Sequence, residues 1–150
     1  MEKIERINEH RYYLEIAKVV SKRSTCERAA MGSVIVKNDL LISTGYNGSL
    51  PGHLHCNEDN KSCMFNGHCI RTTHCEINAI VRATKNTDNL EGAIMYSTNS
   101  PCYACIKTIA AFGIRTIYYE NKYEDDATFA YANLVGFNLI QIKEEYNGWI

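Results

Sequence analysis

Thr73-His74-Cys75-Glu76 and, further along, Pro101-Cys102-Tyr103-Ala104-Cys105 are the stretches around which the chain is organised. Together they read H-x-E followed by P-C-x-x-C. One imidazole and two thiolates suit zinc, which takes N and S donors, and three protein ligands leave the fourth tetrahedral position open to water. His74, Cys102 and Cys105 are the three. Zinc held in this way lowers the pKa of a water to about 7, so that hydroxide is available at neutral pH. The i, i+3 spacing of the cysteines puts both sulfurs on one face of a helix, and Pro101 fits the first turn, where its missing N–H costs nothing. A helix start also favours thiolate over thiol. Glu76 is no ligand in this scheme; it takes the proton from the activated water and passes it on.

Each piece has a plainer reading. Thr73-x-x-Glu76 matches a helix capping box, a lone C-x-x-C matches a redox pair, and a single His before a helix is usually structural. The joint pattern, in this order and with Pro101 in place, points to zinc catalysis.

The bulk properties fit a soluble enzyme. At 150 residues, 45% hydrophobic, 22% charged and with a net charge of −1, the sequence predicts one domain over 1–150 with a core of its own. The near-neutral balance argues against a generic nucleic-acid surface. The start, Met1-Glu2-Lys3-Ile4-Glu5-Arg6, alternates charge and lacks the apolar run of a signal peptide, and no stretch approaches a membrane span. A cytoplasmic protein is expected, in which the seven cysteines serve as metal ligands and core residues rather than disulfides.

Taken in order, apolar residues from Asn8 to Ser21 recur at helical spacing, and Ser24 to Arg28 form a polar connector. Ser33–Val36 and Leu40–Thr44 read as a hairpin around Lys37-Asn38-Asp39. Gly45-Tyr46-Asn47-Gly48-Ser49 follows, with glycines that permit a turn or a close ligand approach. From Leu50 to Ile70 no periodicity is visible, and Cys56, Cys63, His68 and Cys69 offer ligands for a second, structural zinc that would hold this long segment. Buried free cysteines are the alternative. A helix opened by Thr73, a strand at Ala93–Ser97, a helix from Cys102 to Phe112 stopped by Gly113, a strand at Ile114–Tyr119, a helix over Glu124–Val135 stopped by Gly136, and a strand at Phe137–Ile142 complete the chain. This alternation predicts an α/β fold with a mainly parallel half-sheet joined to the first hairpin. Both zinc helices then start at one edge of the sheet, where ligands bind. The tail from Glu144 to Ile150 either hangs loose or docks Trp149 on a neighbouring subunit.

With the motifs placed, H-x-E…P-C-x-x-C is similar to the signature of zinc nucleobase deaminases, and the sequence resembles the deoxycytidylate (dCMP) deaminases of bacteria and their phages over nearly its whole length. Besides the zinc motifs, the resemblance rests on Ala17 to Cys26, Gly45-Tyr46-Asn47-Gly48-Ser49, Gly67-His68-Cys69-Ile70-Arg71-Thr72 and Glu76-Ile77-Asn78-Ala79-Ile80. It implies the cytidine-deaminase fold, a three-layer α/β/α sandwich on a five-stranded mixed sheet, and hydrolysis of dCMP to dUMP. It also implies a homohexamer activated by dCTP with Mg2+ and inhibited by dTTP. In such enzymes Asn47 would hold the deoxyribose hydroxyl, the backbone N–H of Cys75 the pyrimidine carbonyl, and the carbonyl of Ser100 the departing amine. For the 5′-phosphate the basic candidates are Lys22, Arg23 and Arg28, with Ser24 and Thr25 as neutral donors; Arg28 is favoured.

Two positions depart from the family pattern. Cys75 stands where Ala is usual, and as a fourth zinc ligand it would occupy the water's place. Leu50 precedes Pro51 where Gly-Ser-Pro is common, which bears on the regulatory segment, for which Gly45, Asn47, Gly48 and Arg71 are the candidates. Three other readings stand beside the first: a deaminase acting on dCTP, deoxycytidine or an RNA base; a non-catalytic nucleotide-binding module with a closed zinc; and an α/β domain with redox cysteines.

Overall fold

The carboxamide of Asn8 accepts the backbone N–H of Arg11 at 2.8 Å, and this cap starts α1 (Glu9–Ser21), as the spacing predicts. The computed structural model describes residues 6–58, 63–123 and 126–143. After the connector come β1 (Gly32–Lys37) and β2 (Leu40–Tyr46), paired antiparallel. Their turn is tighter than expected: Asn38 and Asp39 have φ of 51° and 61°, the left-handed geometry of a two-residue turn whose twist matches the strands.

The segment from Leu50 to Ile70 is less irregular than its lack of periodicity predicts. A two-residue ribbon pairs β3 (Gly48–Ser49) with β6 (Thr72–Thr73), and inside it β4 (Met64–Phe65) pairs with β5 (His68–Cys69) across Asn66-Gly67. Asn-Gly is the strongest short hairpin signal, and both residues take positive φ here. Thr73 belongs to β6, so the expected helix start is corrected by one residue: His74 caps α2 (Cys75–Ala83), without a side-chain capping bond. The capping-box reading of Glu76 is thereby removed.

β7 (Ile94–Asn99), α3 (Tyr103–Ala111), β8 (Thr116–Asn121), α4 (Asp126–Leu134) and β9 (Asn138–Gln141) complete the order. Gly113 and Gly136, at φ of 93° and 69°, close the last two helices as predicted. Residues 124 and 125 of the expected fourth helix lie outside the described residues, as does the tail from Glu144 with Trp149.

The five-stranded sheet runs β2-β1-β7-β8-β9, with β7, β8 and β9 parallel and β1 antiparallel to both neighbours. Because the two right-handed crossovers step in the same direction, α3 and α4 lie on one face. They share it with α2, over a core that includes Ile35, Met95, Ile106, Ile109 and Ile117. α1 covers the other face through Tyr13, Leu14 and Ala17 on Val34, Val36 and Tyr96. Alternation along the strands sorts the side chains: Val34 and Val36 face α1 while Ile35 faces α2. The result is the three-layer α/β/α arrangement. α1 is also pinned electrostatically: Arg11 and Lys18 reach the buried Glu120 of β8 at 3.1 and 3.0 Å. Burial opposes the Lys18 charge, but the hydrogen bond that Lys18 donates to Glu120, with the charges of Glu120 and Glu15, outweighs it and raises the pKa. No helix among the described residues is long and apolar enough to cross a membrane.

Candidate active site

His74 and Cys102 are both helix caps. Cys102 precedes α3 in extended backbone, so Pro101 stands just before the cap rather than inside the first turn, and it pre-sets the chain entering the helix. Cys105 follows one turn later. With α2 and α3 side by side on the same face, the two helix starts converge: His74 Nδ1 lies 3.5 Å from Cys102 Sγ and 3.3 Å from Cys105 Sγ. Zn–S and Zn–N bonds of about 2.3 and 2.0 Å at the tetrahedral angle require an S···N separation of about 3.5 Å, so these donors fit zinc. Without metal, the hydrogen bond from the Cys105 thiol and that from His74 hold the Cys102 thiol at about 4, while His74 is raised chiefly by the same bond to Cys102.

Glu76, two residues into α2's side of the cleft, is buried, and its Oε2 lies 4.0 Å from Cys105 Sγ and 3.4 Å from Cys75 Sγ. Burial pushes its carboxyl above the ordinary value, which brings a proton acceptor closer to the working pH. Cys75 turns away from the donor trio into the sheet, 3.0 Å from Ser33 Oγ and 3.8 Å from Ser97 Oγ. Among the described residues the trio is therefore His74, Cys102 and Cys105 without Cys75, and the closed four-donor zinc expected of a non-catalytic module is not built.

His74, Cys102 and Glu76 line a cavity of about 400 Å³, a volume in the small-molecule range. Asn47 and Ser100 line its walls. Asn47 also clamps the preceding loop, donating to Ala29 O at 2.7 Å and accepting from Met31 N at 2.8 Å; an amide still has one N–H and one lone pair to offer. At the mouth, Arg28 donates to Tyr123 Oη at 3.1 Å and lies 3.5 Å from His68 Nδ1. Ser24 and Thr25 do not line the cavity: the Ser24 hydroxyl donates to Asn47 O, and Thr25 pairs with His55. Tyr123 escaped the sequence reading, although an aromatic residue just past the C-terminal end of β8 stands where α/β sheets bind ligands.

The family model for the "Cytidine and deoxycytidylate deaminase zinc-binding region" matches residues 7–121. The chain belongs to this deaminase family. It is 40% identical to ComE operon protein 2 of Bacillus subtilis (strain 168) over 121 residues, covering 81% of this chain and 64% of that protein, so it spans a little under two thirds of that relative. It is 35% identical to deoxycytidylate deaminase of Enterobacteria phage T2, over 74% of this chain and 79% of the relative. The structure of dCMP deaminase from cyanophage S-TIM5 in complex with dCMP and dUMP superposes with a TM-score of 0.76 at 28% identity, covering 88% of this chain and 95% of the other.

Beyond the deaminase zinc region's own donors, a second cluster stands in the insertion. Cys56 Sγ and Cys63 Sγ each lie 3.6 Å from Cys69 Sγ, close to the S···S edge of about 3.8 Å that a ZnS tetrahedron requires. His68 does not join it; the expected ligand instead faces the cavity mouth beside Arg28. Successive residues of β5 point to opposite sides, so Cys69 and His68 cannot serve one site. Burial works against a Cys69 thiolate, but hydrogen bonds from Thr72 outweigh it and bring the thiol to about 6, while burial and Cys63 push Cys56 up to about 12. The Thr72 hydroxyl also reaches Cys26 Sγ at 4.0 Å, but Cys26 is not grouped with the three thiols.

The glycine candidates sit in packing positions. Gly45 is buried against α2: a Cβ there would stand 2.3 Å from both Ala79 N and Cys75 O. Gly45→Ala therefore has to push α2, and with it His74 and Glu76, off the sheet. The expected loss is about 1–3 kcal/mol, read as a lowered Tm together with reduced zinc content. Gly48 is buried in β3. Arg71 donates to His55 O at 3.0 Å and lines, with Leu50, His53, Leu54 and Ile70, a separate outer cavity of about 370 Å³.

Proposed function

We propose that this protein is a cytoplasmic, single-domain dCMP deaminase that hydrolyses dCMP to dUMP and ammonia. The observation that carries the reading is the buried Glu76 beside the His74, Cys102 and Cys105 donors, at the floor of a cavity whose mouth presents Arg28, His68 and Tyr123. A neutral nucleoside has no use for a guanidinium lining the same cavity; a 5′-phosphate does.

His74, Cys102 and Cys105 hold the catalytic zinc, which when bound makes hydroxide available at neutral pH. Glu76 accepts one proton of the attacking water as its oxygen bonds to C4 of the cytosine and passes it to N3, then takes the proton left on the new C4 hydroxyl and delivers it to the amine as the C4–N bond breaks and C4=O forms. The backbone N–H of Cys75, among the N–H groups at a helix start that have no intrahelical partner, holds the ring carbonyl. Asn47 holds the deoxyribose hydroxyl with its remaining donor and acceptor, and the Ser100 carbonyl takes the leaving amine. Cys56, Cys63 and Cys69 would hold a second zinc of structural character. The reading includes a homohexamer that dCTP with Mg2+ activates and dTTP inhibits; of the regulatory candidates Gly45, Asn47, Gly48 and Arg71, Arg71 supports it by lining the outer cavity.

The test is ammonia release from dCMP, deoxycytidine and dCTP, each with and without dCTP-Mg or dTTP. Turnover confined to dCMP is expected; preference for deoxycytidine overturns the phosphate assignment, and indifference to both effectors removes the regulatory part alone. Arg28→Gln is expected to raise KM for dCMP about 10- to 100-fold, the loss of one charge-assisted hydrogen bond, with KM for deoxycytidine unmoved.

A further inference from the structure

Glu76 does not stand alone in the sheet. It is the end of a buried hydrogen-bonded chain that begins two strands away. Ser97 of β7 and Ser33 of β1 face each other across the central strand pair at 2.9 Å between hydroxyl oxygens. Ser33 Oγ is 3.0 Å from Cys75 Sγ, and Cys75 Sγ is 3.4 Å from Glu76 Oε2. Both serines are 0% exposed, Cys75 is 1% and Glu76 5%, so water is not an alternative partner for the inner groups. A carboxylate can only accept, which sets the direction: the Cys75 S–H donates to Glu76, the Ser33 hydroxyl to Cys75 Sγ, and the Ser97 hydroxyl to Ser33. The Gly32 carbonyl, 3.4 Å from Ser97 Oγ, is a longer competing acceptor for the last of these protons.

The geometry points to Cys75 as a positioning residue: its thiol, backed by Ser33 and Ser97, anchors the Glu76 carboxylate to the rigid centre of the sheet and aims it at the reacting atoms. The inference rests on the deaminase reading for its kinetic consequence and on the hydrogen-bond geometry for its physical content. A Glu side chain has three soft torsions, and one on the first turn of a helix can swing toward solvent or toward the metal donors. A donor fixed on the sheet side removes that freedom before substrate arrives, which is the form of pre-organisation that proton transfer demands. Directional chains of this kind also polarise one another in a low-dielectric interior. Neither hydroxyl nor thiol touches substrate in this arrangement. The sulfur is committed to the sheet, which is also why it does not compete for the metal.

Two measurements test the inference on the zinc-loaded protein. In the infrared, a thiol donating to a carboxylate has its S–H stretch lowered; the band lost in Cys75→Ala identifies it, and Glu76→Gln is expected to move it to higher frequency. A Cys75 band that ignores Glu76→Gln overturns the proposal. In steady-state turnover of dCMP, Cys75→Ala is expected to lower kcat about 10-fold with KM changed less than about 2-fold, the scale of one hydrogen bond to a charged group. Cys75→Ser, which restores a donor, is expected to recover most of that loss, and Ser33→Ala to show a smaller one, all at unchanged zinc content. Wild-type kcat in Cys75→Ala, or a Cys75→Ser as slow as Cys75→Ala, overturns it equally. If the wild-type protein does not turn over dCMP, the deaminase reading has failed, and the infrared comparison still decides whether Cys75 anchors Glu76.

Discussion

Replacing Glu76 by Gln lowers kcat for dCMP by about 10²–10⁴-fold, the usual range for a positioned general acid–base group, while the zinc content stays that of the wild type. The two halves of this result come from separate features. Glu76 is not a member of the donor trio, so an amide in its place leaves the metal's own ligands untouched. Gln has nearly the same volume, fills the same buried space and still accepts the Cys75 S–H through its carbonyl oxygen, so the core is not disturbed. What it cannot do is take a proton from water and return it to N3 and the amine. Parallel metal analysis and steady-state kinetics check the expectation. A variant that keeps zinc and normal turnover would remove Glu76 from the reaction.

Opening the thiol cluster has the second largest effect. Purified protein is expected to carry two zinc ions per chain, and Cys69→Ser to carry one, with a lower Tm and weakened dCMP binding. Between Leu50 and Ile70 there is little apolar burial: Leu50, Leu54, Met64, Phe65 and Ile70 are all exposed, and the ribbons there are two residues long. Ribbons that short do not hold themselves, whereas structural zinc contributes folding free energy directly, about 10–16 kcal/mol in small zinc modules. The effect reaches the active site because Cys69 and Thr72 line the cavity and His68, at its mouth, adjoins Cys69. Since thiolates are the ligands, acidification is expected to release this zinc as they are protonated. One zinc per chain in the wild type, unchanged by Cys69→Ser, contradicts the second site.

The His74, Cys102 and Cys105 donor trio is legible in the sequence because each half of it is local. His74 and Glu76 are held two residues apart by one helix start, Cys102 and Cys105 by one helical turn, and zinc's demand for N and S donors joins the halves. The secondary structure is legible for the same reason: hydrophobic period and glycine stops are short-range properties, and most expected elements differ from the observed ones by a residue or two. Asn66-Gly67 carries the signal for the small hairpin as well, although the cysteine crowding around it points toward a metal-held loop without strands.

The remainder requires tertiary structure, and the reason is direction. Sequence places His68 and Cys69 side by side, but a strand sends neighbours to opposite faces, so Cys69 joins Cys56 and Cys63 while His68 turns to Arg28. It places Cys75 between His74 and Glu76, but the turn of the helix sends that sulfur to Ser33 and Ser97. Arg28, His68 and Tyr123 lie on separate stretches of chain and meet only because the connector, the insertion and the end of β8 open onto one side of the sheet. The chemistry of this protein is determined by residue types at short spacing; which side chains face that chemistry is decided by packing, because orientation depends on what lies on either side of a strand or helix rather than on what precedes and follows it.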